Sequence, residues 1–208
     1  MAEFREHAGI AAAIPDDNVD TDQIIPSREM KKVSKKGLGE GLFAGWRYRY
    51  DGTRKVGLDD AFVLNKPEYA GTSILLVGSN FGCGSSREHA VWALADFGIR
   101  VIIGESFGRI FRNNCARNRL LAICMSAEEI ESIRLSTESD PQNNRLTVDL
   151  ENQVVRVPGG ESVSFDVNAT DRDMLLKGQD YIDFTLQYEA SIDRFVEQDR
   201  KARPWAYL

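Results

Sequence analysis

Ser85, Ser86 and Arg87 stand together in GCGSSREHAVWAL, just after three closely spaced glycines, Gly78, Gly82 and Gly84. Two hydroxyls beside a guanidinium are the ingredients of an anion site, because the planar fork of an arginine matches a carboxylate and hydroxyls and backbone amides add neutral donors. Glu88 follows Ser85 at the spacing of a capping box, so a helix is expected to open at Ser85 or Ser86. Its free amides and positive dipole end would then face the same space, which the glycines leave open. The plainer reading is an ordinary capped helix with a surface arginine, and spacing alone does not separate the two.

The elements that must position these residues are legible on either side. Ile74 to Val77 and Val101 to Ile103 are apolar, β-branched runs flanked by glycines, and they read as buried strands. Between them, Ala90 to Phe97 carries one charge, Asp96, so most faces of that helix must be covered, and Gly98 is placed to end it in the left-handed conformation. Residues 74–104 thus form a βαβ unit. His89 lies one helical turn beyond Ser85, which raises a serine-hydrolase reading. The turn lacks the glycine, any residue, serine, any residue, glycine order of a nucleophile elbow, and His89 reads as structural.

A second polar cluster, DNVDTDQIIP (17–26), holds Asp17, Asp20 and Asp22. The calcium-loop spacing with its terminal glutamate is absent, so metal binding is not expected there. A carboxylate such as Asp22, buried near arginines, would orient them; the alternative is an Asx-turn cap.

These two segments, in this order, resemble the two signatures of the aconitase swivel domain. GLFAGWR (41–47), FVLN (62–65) and FGRIFRNNC (107–115) extend the likeness over nearly the whole chain. With its length, the chain is most similar to the small-subunit family of bacterial isopropylmalate dehydratases. The resemblance implies an α/β fold, the swivelling β/β/α sandwich, with a small antiparallel addition. It implies one half of a two-subunit hydro-lyase that interconverts 2- and 3-isopropylmalate by dehydration and rehydration, a step of leucine biosynthesis. The [4Fe-4S] cluster would sit on the large subunit, with no cofactor on this chain, and activity would need both chains. By the same resemblance Ser85 is the base, acting as an alkoxide; Ser86 and Arg87 bind the substrate, Thr21 and Asp22 belong to the active site, and Arg28 or Lys31 holds a second carboxylate. Glu29 departs from the pattern, since relatives commonly have an aromatic residue there, and a carboxylate would change the polarity of any pocket it reaches. Related citramalate or dimethylmalate dehydratases, and a stand-alone module that binds small carboxylates, are the alternatives.

The remaining composition is consistent with this. The chain has 208 residues, 28% of them charged, and a formal net charge of −6, which fits one sizeable core and argues against a nucleic-acid surface. Residues 1–208 read as a single domain. No run approaches the roughly 20 apolar residues of a membrane span, and the N-terminus lacks signal-peptide order, so a cytoplasmic location is expected. Cys83, Cys115 and Cys124 form no CxxC pair and read as reduced thiols, not as cluster ligands. Residues 41–57 alternate aromatic and basic residues around Asp51-Gly52, as in a hairpin. Asn113, Asn114 and Asn118 read either as polar lining of the site or as helix-end caps, with capping favoured. Residues 127–139 should form an amphipathic helix. RLTVDL, QVVRV and SVSFDV should form antiparallel strands, 168–178 a short helix ended by Gly178, and the tail from Tyr188 a helix ended by Pro204.

Overall fold

The computed structural model describes residues 3–30 and 34–207. Strand β1 (Glu6–Ile14) ends at Pro15, and a loop leads to the single-turn helix α1 (Thr21–Ile24). Asp20 caps α1: its carboxylate accepts the Gln23 N–H at 2.8 Å while the Gln23 side chain accepts the Asp20 N–H at 2.7 Å. After the short helix α2 (Ala44–Arg47), the expected hairpin forms only from Tyr48, as β2 (Tyr48–Asp51) and β3 (Arg54–Leu58). The βαβ unit follows as β4 (Thr72–Val77), α3 (His89–Phe97) and β5 (Val101–Gly104), with Gly98 ending the helix at φ +117°.

Helix α4 (Arg109–Arg117) and β6 (Leu121–Cys124) come next, then α5 (Ala127–Glu138). The strands β7 (Leu146–Asp149), β8 (Val154–Arg156) and β9 (Ser162–Ser164) run antiparallel, as their alternation predicts. Helix α6 (Ala169–Lys177) ends at Gly178. A helix the sequence reading missed, α7 (Tyr181–Leu186), is capped by the Asp180 carboxylate, and α8 (Glu189–Ala202) closes the chain before Pro204.

Seven strands form one mixed sheet in the order β6-β5-β4-β1-β7-β8-β9. The first four run parallel, and the β1–β7 pair begins the antiparallel part. Ile74 to Val77 and Val101 to Ile103 are all buried because both faces of this half are covered, which is why these strands lack a polar alternation. Leu75, Val77 and Ile102 pack with Val91 and Leu94 of α3 and Phe111 of α4. Ile74, Leu76 and Ile103 pack on the other face with Ile133 of α5 and Leu175 of α6. Each such side chain contributes about 1.5–3 kcal/mol on burial. That anchoring fixes where the strands stop: Val77 is paired with Gly104 on one side and Ile14 on the other. The loops that leave these three strands therefore start side by side, at the carboxyl edge of the parallel strands where open α/β sheets bind ligands.

Candidate active site

Main-chain hydrogen bonds stitch the three loops together. The Gly82 N–H donates to the Val19 carbonyl at 2.7 Å, the Thr21 N–H to Cys83 at 2.9 Å, and the Gly108 N–H to Phe81 at 2.9 Å. The glycine-rich loop is thus clamped between its neighbours. Its glycines do a different job from the one expected. Gly82 adopts φ +75°, and a Cβ there would lie 2.2 Å from the Phe111 ring; a Cβ at Gly78 would lie 2.7 Å from the Pro15 and Asp16 carbonyl oxygens. These two positions make room for the protein itself and not for a ligand. Around Gly84 the nearest atom to a Cβ is at 3.5 Å.

The capping box at Ser85 does not form. Helix α3 opens four residues later, at His89, with Glu88 before it and no side-chain cap. Two other partners have taken the Glu88 carboxylate, which accepts the indole N–H of Trp92, one helical turn on, at 3.1 Å and the amide of the distant Asn118 at 3.3 Å. Neither serine caps the helix, and Ser85 does not sit on its dipole. The Ser85 Oγ instead accepts two donors from Arg87, the backbone N–H at 3.2 Å and the guanidinium Nε–H at 3.1 Å. The Ser85 N–H donates to Thr21 Oγ1 at 3.1 Å, and Thr21 is buried. Arg87 also reaches Asp22, with Nη2 3.5 Å from Oδ1. Thr21, Asp22, Ser85 and Arg87 therefore form one connected group, although Asp22 is 63% exposed, not buried as expected.

The other acidic residues of this stretch have structural duties: Asp20 caps α1, and Asp17 accepts the Ser79 N–H at 2.7 Å. Ser86 is held through its carbonyl, which accepts the Asn114 side-chain amide at 3.3 Å. Asn114 is thus a buried tie and not a helix cap, a role its place in the sequence does not reveal. His89 lies against the Trp92 ring with centroids 4.8 Å apart, and the Ser85 hydroxyl takes its bonds from Arg87.

Ser85 lines a cavity of about 560 Å³ together with Cys83, Gly84, Arg109 and Asn113. Arg28 lines a different cavity, with Glu29, Tyr50 and Lys55, and its guanidinium stacks 4.8 Å from the Tyr50 ring centre. Glu29 is held there by Lys55 at 2.8 Å. Arg28 is therefore not brought to the Ser85 group, and Lys31 lies outside the described residues. Cavity-lining Arg109 was not singled out from the sequence, although FGRIFRNNC contains it, whereas Asn113 takes the site-lining place that was the less favoured of its two sequence readings.

Among the described residues no three His, Cys, Asp or Glu side chains are grouped as metal ligands. Cys115 is buried in the core, where desolvation pushes its thiol well up, against the thiolate that a cluster requires. The donor set of this chain does not fit an iron–sulfur cluster. No helix among the described residues is long and apolar enough to cross a membrane.

Comparison with known proteins reaches the same fold. Residues 1–128 match the family model of the aconitase C-terminal domain, and residues 137–169 match one described as LeuD_N. The 3-isopropylmalate dehydratase small subunit of Cupriavidus necator is 51% identical over 208 residues, covering 100% of this chain and 99% of its own. That of Rhizobium meliloti (strain 1021) is 48% identical, covering 99% and 100%. A crystal structure of 3-isopropylmalate dehydratase from Methanocaldococcus jannaschii superposes with a TM-score of 0.65 at 25% identity, over 91% of this chain and 98% of that one.

Proposed function

Because the chain belongs to the aconitase C-terminal domain family, among the small subunits of 3-isopropylmalate dehydratase, we propose that it supplies the serine base and substrate contacts of this hydro-lyase. It acts with a large subunit, interconverting 2- and 3-isopropylmalate by dehydration and rehydration in leucine biosynthesis. We place the Lewis acid, a [4Fe-4S] cluster, on that large subunit, and derive only what this chain's own residues do. A cytoplasmic location fits a biosynthetic enzyme of this kind. The continuous seven-stranded sheet supports treating residues 1–208 as one swivel domain.

The observation that carries the reading is the double donation to Ser85 Oγ at the rim of the cavity. An alkoxide has three lone pairs. Arg87 addresses two of them, one through a charged donor, which stabilises the deprotonated oxygen where a neutral environment would not. The third is left for the proton of the substrate. In the forward step the C–H bond beside a carboxylate breaks, its proton goes to Ser85 Oγ and its electron pair forms the C=C bond as hydroxide leaves the neighbouring carbon. Rehydration runs the same transfer in reverse with the two carbons exchanged. Arg87 binds a substrate carboxylate through its exposed edge while Ser86 adds a hydroxyl, and Thr21 and Asp22 hold Ser85 and Arg87 in place.

Reconstitution tests the function. The chain alone should show no turnover, and addition of the large subunit should produce isomerisation of isopropylmalate. Citramalate and dimethylmalate belong in the same panel, since the Glu29–Lys55 pair gives the neighbouring cavity a polar wall. A methylene is worth only about 1–3 kcal/mol of discrimination. Preference for either of those would move the assignment to a related dehydratase. Tight diacid binding by the chain alone, without turnover on mixing, would favour a binding module.

A further inference from the structure

We propose that Arg109 binds the second carboxylate of the diacid, a role the sequence had offered to Arg28 or Lys31; this rests on the dehydratase reading of the Ser85 cavity. A diacid held with one carboxylate on Arg87, which is bonded to the Ser85 hydroxyl but does not itself line the cavity, needs a second cation on the cavity side of Ser85. Arg28 is committed elsewhere, stacked on Tyr50 and 3.7 Å from Glu29 in another cavity. Arg109 lines the Ser85 cavity itself and is exposed, and no ion pair holds it among the described residues. Arg87, by contrast, already spends part of its fork on Ser85 and Asp22.

The position of Arg109 is fixed by the fold. The Gly108 N–H is bonded to Phe81 in the glycine loop, and a Cβ at Gly108 would lie 2.7 Å from the Gly82 carbonyl, so the start of α4 is pressed against the serine turn. Asn114, five residues on, ties the inner face of α4 to the Ser86 carbonyl. Arg109 and Asn113 are spaced i, i+4, which puts them on one helix face, and both border the cavity. Arg112, the next cation of α4, lines a separate recess together with Asp171. Arg109 is thus the α4 cation turned toward the substrate, with Asn113 as a neutral donor beside it.

The test uses the reconstituted two-subunit enzyme carrying Arg109→Ala, with the diacid and its two monoamides, in each of which one carboxylate is neutralised. Loss of a hydrogen-bonded charge pair should raise the KM of the diacid about 10- to 100-fold. Turnover at saturation, the melting temperature and the affinity for the large subunit should change little. One monoamide, the one lacking the carboxylate that Arg109 holds, should be almost insensitive to the substitution, and the other should lose as much as the diacid. Three outcomes overturn the assignment: an unchanged KM, equal losses for the diacid and both monoamides, or a loss fully explained by weakened binding of the large subunit. The base assignment fails separately, through an active Ser85→Ala enzyme, and that result would leave the monoamide pattern to be read on its own.

Discussion

Thr21 acts on the serine turn through two different atoms. Its N–H donates to the Cys83 carbonyl, which any residue would do, while its Oγ1 accepts the Ser85 N–H at 3.1 Å. Thr21→Val keeps the shape and the first bond but leaves the Ser85 amide without its partner. Because small misplacements of a reacting group are costly, turnover should fall about tenfold or more with little change in the circular dichroism spectrum. Unchanged turnover would show that Thr21 does not position Ser85. That Thr21, Asp22, Ser85 and Arg87 come together was an expectation from the resemblance of two motifs, and the structure connects them. Their geometry was not legible in the sequence. Glu88 has the right type and spacing for a cap, but its i, i+4 neighbour Trp92 and the distant Asn118 take its carboxylate, and the second of these contacts is not encoded by local spacing. Arg28 went astray for a similar reason, since Tyr50 and Glu29 draw it to the hairpin.

At the level of elements, the βαβ unit and α4 meet in a close contact at Gly82, beside the hydrogen bonds that tie them. Gly82 is at φ +75° with the Phe111 ring against its Cα, so Gly82→Ala imposes backbone strain of about 1–3 kcal/mol and overpacking of similar size. A fall in melting temperature of about 5–15 °C is expected, and calorimetry or thermal scanning checks it. Strand β1 carries a second testable feature. His7 shares a 2.8 Å hydrogen bond with Ser73, and burial, assisted by Arg100, lowers its pKa from the usual 6.5. The unfolded chain therefore binds this proton more readily than the folded one. The contribution of His7 is complete above about pH 6.5 and is lost as pH falls through the lower folded-state pKa. Denaturant titrations across that range should show a shallower loss for His7→Gln; identical slopes would exclude His7. Strong periodic segments such as α5 were readable, and Ser126 with Glu129 gives α5 a true capping box. Helix α7 was not, because six residues are too few to show a period.

Across the whole molecule, the site exists because β1, β4 and β5 end together, and their apolar runs announced this in the sequence. What the runs could not announce is which neighbours meet at that edge. Pairing between strands far apart in the chain, with β1 between β4 and β7, brings residues 17–22 to residues 81–87. The cavity borders Ser85 on one side and α4 on the other, and in the proposed function the rest of the chemistry comes from a large subunit. Ser85→Ala in the reconstituted enzyme tests this division of labour most directly, with turnover, KM and subunit affinity measured on the same preparation. Loss of a positioned base should lower kcat about 10²- to 10⁴-fold while KM and subunit affinity stay near the parent values. Turnover within a few-fold of the parent would contradict the role of Ser85 as the proton acceptor.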